Sequence, residues 1–143
     1  MTTSTATKRK KHPDKAKLDD LLQKFRIAIK QQIAHFKSSK VHSDGYYYSD
    51  ITGYKITKSK NVQVNHVHPR TFRQLAYDFI KSRGIDLDSI EFLQDYELNQ
   101  VLEDWKQFHA KNAVLNILTA SQNKYEWLSN RANDIPYTRF YTN

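Results

Sequence analysis

No cysteine occurs among the 143 residues, which removes disulfide staples, thiolate zinc sites and a cysteine nucleophile from consideration. Only histidine, carboxylate and amide ligands then remain for a metal. Three glycines are too few for a phosphate-cradling loop, and neither GxxxxGKS/T nor GxGxxG is present, so no nucleotide cofactor is expected. Long apolar runs are missing too. Nothing approaches the roughly 18 to 20 residues of a membrane span, and the first residues are polar, unlike a signal peptide, so a cytoplasmic protein is expected. What is present, 38% hydrophobic and 13% aromatic residues at this length, fits one folded domain.

The net charge of +8 is unevenly placed. Residues 1–40 hold eleven basic residues against Asp14, Asp19 and Asp20, while residues 41–143 hold twelve of each sign. The excess therefore sits at one end, where lysines and arginines release counterions from a polyanion such as nucleic acid, or merely solubilise a tail. Residues 1–15, Thr-rich and then basic at Lys8, Arg9, Lys10 and Lys11, read as a disordered arm, with residues 16–143 as the domain. From Lys17, Leu18, Leu21, Leu22, Phe25, Ile29, Ile33 and Phe36 recur at three- and four-residue steps and predict one long helix. Lys17 and Lys24 fall outside its apolar stripe, as phosphate contacts or as a solvated face.

Turn residues and Tyr46 to Tyr48 follow, suggesting irregular or hairpin structure. Alternation of Val62 and Val64 with Gln63 and Asn65 predicts a short strand that stops at Pro69. Pro69 is expected in the first turn of a helix carrying Phe72, Leu75, Ala76, Phe79 and Ile80, stopped by Gly84. A further helix spans about Asp95 to Asn112, Val114 to Leu118 suits a second strand, and Ser121 is a candidate cap for a last helix.

Chemistry concentrates at Asn65, His66 and His68 on the strand end, and at Asn123 and Glu126, which share one side of the last helix at a spacing of three. If the two strands pair, these residues meet in a strand–strand–helix arrangement. A neutral imidazole then takes a proton from water while a divalent cation on oxygen ligands stabilises the phosphate and the leaving oxygen; hard ligands favour magnesium or manganese. An HxH triplet by itself is more often structural. Arg70 and Arg73, early in the next helix, are placed to clamp a phosphate, and His109 reads as a packed core histidine or as a further site residue.

The run Val64-Asn65-His66-Val67-His68-Pro69-Arg70-Thr71-Phe72, with Leu75 and Phe79, resembles the V-D-H-x-x-P-x-T-F-x-x-L-x-x-x-F segment of an HNH-like nuclease region in bacterial proteins of the DCL type. Trp105 to His109, Ala113 to Leu118 and Ser121 to Asn123 resemble the later W-x-x-F/Y-H … A-x-L-R-x-x-S-x-x-A-N of that region, and Thr52-Gly53 its C-x-x-T-G. These segments cover roughly residues 20–130. The strand end and last helix are also similar to the endonuclease VII type of HNH nuclease, with D-H-x-H and an asparagine followed three residues later by glutamate. The resemblance implies a mainly helical α+β single domain with a small ββα-metal element split by a helical insertion. It further implies metal-dependent hydrolysis of DNA phosphodiester bonds with one Mg²⁺ or Mn²⁺. By that resemblance His66 is the general base, Asn123 and Asn65 are metal ligands, and His68 and Glu126 are supporting residues, Glu126 also toward the metal. Asn65 stands where the pattern has aspartate, and Asn116 where it has arginine; the zinc-knuckle cysteines are absent, excluding a zinc brace. A working nuclease with weakened metal binding and a non-catalytic nucleic-acid-binding relative both fit these departures. No oligomeric state is read from the sequence.

Overall fold

The computed structural model describes residues 13–141 of the chain, so Lys8, Arg9, Lys10 and Lys11 lie outside the described residues. The architecture is α+β and mainly helical. Helix α1 spans Pro13–Ala28 and α2 Lys30–Ser39; β1 (Tyr47–Tyr48) and β2 (Lys55–Ile56) follow, then β3 (Val62–His66), α3 (Phe72–Arg83), α4 (Asp95–Asn112), β4 (Leu115–Thr119) and α5 (Ala120–Asn130). Among the described residues no helix is long and apolar enough to cross a membrane.

The single long helix expected from the apolar stripe is two helices. Ile29 leaves helical geometry (φ −100°, ψ 5°), and the chain restarts at Lys30. The stripe survives because the interruption is one residue: Leu18, Leu21, Leu22, Phe25 and Ile29 are all buried. Beyond it Ile33 still packs on the main core, and Phe36 turns to a second cluster with Ile56, Val62 and Ile117. Within the described residues the helix already runs from Pro13, inside the segment expected to be an arm.

Helices α1, α3 and α4 form the main core. Trp105 is fully buried, stacks on Phe25 with ring centroids 4.7 Å apart, and donates its indole N–H to the Phe25 carbonyl at 2.9 Å. Phe79 and Phe72 meet the same indole at 5.6 and 5.8 Å. Helix α3 starts one turn later than expected. Pro69 lies in the turn closed by Arg70 N–H to the Val67 carbonyl, and Thr71 is the cap, accepting from the Gln74 N–H at 3.0 Å. At its other end Gly84 takes the left-handed conformation (φ 62°) that the sequence reading assigned it. The chain after α5 is no loose tail: Ile135 and Phe140 are buried in the main core.

Strands β3 and β4 pair antiparallel, from Val62 opposite Thr119 to His66 opposite Leu115. Separately, β1 pairs with β2. Asp50 braces that hairpin to β4: its N–H donates to the Ile117 carbonyl at 2.9 Å, and its carboxylate accepts the Ile117 N–H at 2.6 Å. Asp50 thus meets both backbone groups of Ile117, one with its own N–H and one with its carboxylate, and ties the hairpin down without cysteine.

Candidate functional site

Helix α5 leaves β4 without a loop, and its start is tightly specified. Thr119, not Ser121, is the cap: its hydroxyl accepts the Gln122 N–H at 3.1 Å, while the Gln122 side-chain oxygen accepts the Thr119 N–H at 3.0 Å. Ser49 donates to the same oxygen at 2.8 Å, and Asn61 accepts the Ala120 N–H at 3.1 Å. Two segments far away in sequence therefore fix the direction in which α5 leaves, and with it Asn123 and Glu126.

A cleft of about 370 Å³ opens where β3 ends and α5 begins. Asn65, His66, His68, Asn123 and Glu126 all line it, as does Arg73. The sequence-based cluster is thereby assembled from positions 57 and 60 apart. Arg70 is not part of it; its guanidinium donates to the Asn112 carbonyl at 2.9 Å. Lys17 pairs with Glu91 at 3.1 Å and Lys24 with Asp20, and neither lines the cleft.

Inside the cleft the two asparagines are oriented. Asn123 donates its Nδ2 to Gln63 Oε1 at 2.8 Å, and Asn65 its Nδ2 to Asn116 Oδ1 at 3.2 Å. Both carboxamides thus spend their nitrogen on the protein and keep an oxygen for something else. Glu126 is the nearest thing to a free carboxylate, receiving only a long 3.4 Å contact from Asn130. Asp134, also on the wall, is occupied by the Thr71 hydroxyl and the Ile135 N–H. Two amide oxygens and one carboxylate are hard donors suited to Mg²⁺ or Mn²⁺, but they carry a single negative charge. Among the described residues no group of three or more His, Cys, Asp or Glu side chains is gathered.

His66 faces away from these donors through its Nε2, which lies 2.9 Å from Nε2 of His109. His109 is 1% exposed, and its Nδ1 lies 2.7 Å from Gln32 Oε1. The reading of His109 as a packed core residue is correct as far as burial goes, yet it touches His66 directly. Burial pushes the His109 pKa down to about 4. His66 is also pushed down to about 4, by burial first and then by His109 and Arg26. Both imidazoles are therefore neutral at pH 7.

Arg26 had no motif to mark it, being one guanidinium outside the α1 stripe. Its guanidinium sits 4.1 Å from the Phe72 ring centroid on the cleft wall, and no carboxylate pairs with it among the described residues. Lost hydration and the nearby Arg73 charge hold its pKa below the usual guanidinium value. Arg73 donates its Nε to the Ile135 carbonyl at 2.5 Å. Arg131, lying 5.4 Å from the Trp127 ring, completes three guanidinium groups against the carboxylates of Glu126 and Asp134. A surplus of positive charge beside a neutral imidazole forms a place where an anion lowers the energy.

Compared with known proteins, the chain matches no family model, no curated protein and no solved structure.

Proposed function

We propose that this protein is a metal-dependent endonuclease of the HNH type that hydrolyses phosphodiester bonds in DNA, with β3, β4 and α5 as its ββα-metal element. The observation that carries the reading is the convergence of neutral His66 with Asn65, Asn123 and Glu126 in one cleft beside Arg26, which has no carboxylate partner among the described residues. In this reading His66 accepts the proton of the attacking water, which a neutral imidazole does and a protonated one does not. Arg26 and Arg73 hold the scissile phosphate and take over the task of the arginine that Asn116 replaces. Asn65, Asn123 and Glu126 would hold one Mg²⁺ or Mn²⁺, which when bound supplies charge stabilisation to the leaving oxygen. His68, exposed on the rim, supports the site from the solvent side. Lys8, Arg9, Lys10 and Lys11 add sequence-independent phosphate contacts, and a DNA substrate places the protein in the cytoplasm at the nucleoid.

One observation favours a second reading, a nucleic-acid-binding module that has lost cleavage. Three guanidinium groups against two carboxylates make the cleft net cationic, which repels a free metal ion while attracting a phosphate. Nicking of supercoiled plasmid with Mg²⁺ or Mn²⁺ decides between the two. Cleavage by the wild type, reduced about 10²- to 10⁴-fold in His66→Ala, supports the nuclease. Salt-dependent DNA binding with no cleavage at any metal concentration leaves only the module.

A further inference from the structure

We propose that Gln32 and His109 are positioning residues that fix the tautomer of His66, so that its Nδ1 is the basic atom offered to the cleft. The catalytic meaning of this relay rests on the nuclease reading; its geometry does not.

The protons can be placed one link at a time. Gln32 Nε2 donates to the Lys106 backbone carbonyl at 2.9 Å. A carbonyl has only lone pairs to offer, so the amide nitrogen must point there, and the amide oxygen is the end that meets His109 Nδ1 at 2.7 Å. Facing an oxygen, that Nδ1 carries hydrogen. His109 is buried against Trp105, with ring centroids 5.6 Å apart, and among the described residues its two ring nitrogens meet His66 and Gln32 and no acidic side chain that would stabilise an imidazolium. Its Nε2 is therefore a lone pair. The hydrogen shared across the 2.9 Å contact belongs to His66 Nε2, and a neutral His66 keeps its remaining lone pair on Nδ1.

Each member is held by a different element: Gln32 by α2, His109 by α4, and His66 by the end of β3. Phe72 meets the His66 ring edge-on at 5.9 Å, which limits its rotation. The three side chains form a line from the surface of α2 to the cleft, and its direction is set by one backbone carbonyl.

The test is ¹⁵N-edited NMR of imidazole tautomers in the full chain, paired with plasmid-cleavage kinetics of Gln32→Met. Opposite tautomers are expected in the wild type, His109 as Nδ1–H and His66 as Nε2–H. In Gln32→Met the His109 proton is released from Nδ1, the contact between the imidazoles reverses or breaks, and kcat falls about 10- to 100-fold while KM for DNA stays put. Finding His109 as Nε2–H, or His66 as Nδ1–H, in a wild-type protein that cuts DNA overturns the relay and leaves the nuclease standing. A Gln32→Met protein with unchanged tautomers and kcat overturns it as well. Should the tautomers be as stated while the wild type cuts nothing, the nuclease reading falls and takes the catalytic half of the proposal with it. Because the wild-type spectrum is decisive by itself, a poorly folded variant does not shield the idea.

Discussion

The helical half of the molecule and the strand-end cleft are built on opposite terms. Around Trp105 every group is satisfied: the indole is fully buried, stacked on Phe25 and hydrogen-bonded to its carbonyl, with Phe79 and Phe72 closing the sides. In the cleft the polar groups satisfy each other only halfway. Among the described residues Asn65 and Asn123 keep a carboxamide oxygen, Glu126 has one long contact, and Arg26 has an aromatic face but no anion. Burial of apolar area stabilises the first region. The second gains most when something charged enters it. Stability and function should accordingly separate by region.

The harshest way to break that comparison is to exchange the damage. Trp105→Ala removes the largest fully buried side chain and leaves the Phe25 carbonyl without its donor, so about 3–5 kcal/mol of unfolding free energy should be lost in urea or thermal melts. Glu126→Ala takes away a side chain with one weak contact and should change stability by about 0.5 kcal/mol or less, while cleavage drops sharply. If both variants melt alike, the division is wrong.

Acid probes the one place where the two regions touch. His109 belongs to the core by burial and to the site by its bond to His66, and its pKa falls from 6.5 when unfolded to about 4 when folded. Its contribution is fully present above pH 6.5. As pH drops toward 4 the unfolded chain takes up a proton that the folded chain refuses, and stability declines. A buried histidine shifted this far is worth on the order of 3 kcal/mol, and partly buried His66, lowered to about the same value, adds an increment of the same sign. Gln32 and Trp105 bring no negative charge to that pair, and Arg26 adds a positive one, so nothing offsets the loss. Unfolding free energies measured at pH 7.5, 6.5, 5.5 and 4.5 should fall less steeply in His109→Gln than in the wild type. Parallel curves would take His109 out of the titration.

A milder cut tests whether the cleft is an anion site at all. Arg26→Ala should weaken DNA binding by about 1–3 kcal/mol and lower the slope of log K against log salt by about one, since one phosphate contact disappears. Lys24→Ala, on the same helix but paired with Asp20, is the control and should leave the slope alone. Equal effects from the two lysine and arginine changes would mean that α1 attracts DNA by general charge only.

How much of this was legible beforehand follows the same division. Helix α4 and the core face of α3 were readable because each repeats a period over several turns, which packing must honour, and the pairing strands from one short alternation and one short apolar run. The residues of the cleft were found through a motif, not a period, and they do line one cavity. What escaped was set by single local facts. One residue out of helical geometry at Ile29 splits the first helix, and Thr119 wins the cap from Ser121 because Gln122 answers it from three positions on. Arg26 and Gln32 were invisible for a different reason. Each matters only through a partner brought by another segment, Phe72 for the one and His109 for the other, and nothing in a lone arginine or glutamine announces that.

The gentlest change bears on the departure that most weakens the metal site. Asn65→Asp restores the carboxylate of the resembling motif at the end of β3. The cost is one hydrogen bond: Asn65 Nδ2 now donates to Asn116 Oδ1, and a carboxylate there requires the Asn116 carboxamide to turn and present its own Nδ2. Since that contact is 3.2 Å long and partly open to water, the exchange should alter stability by about 1 kcal/mol or less. The gain is a second negative charge among the three hard donors, in a cleft that Arg26, Arg73 and Arg131 otherwise make cationic. Half-saturation of cleavage should move to about tenfold lower Mg²⁺ or Mn²⁺ if Asn65 is a ligand, with little change at saturating metal. An unchanged metal dependence in a folded, DNA-binding variant would remove Asn65 from the ligand set and leave Asn123 and Glu126, on one helix face, as too few donors to hold the ion without the phosphate itself.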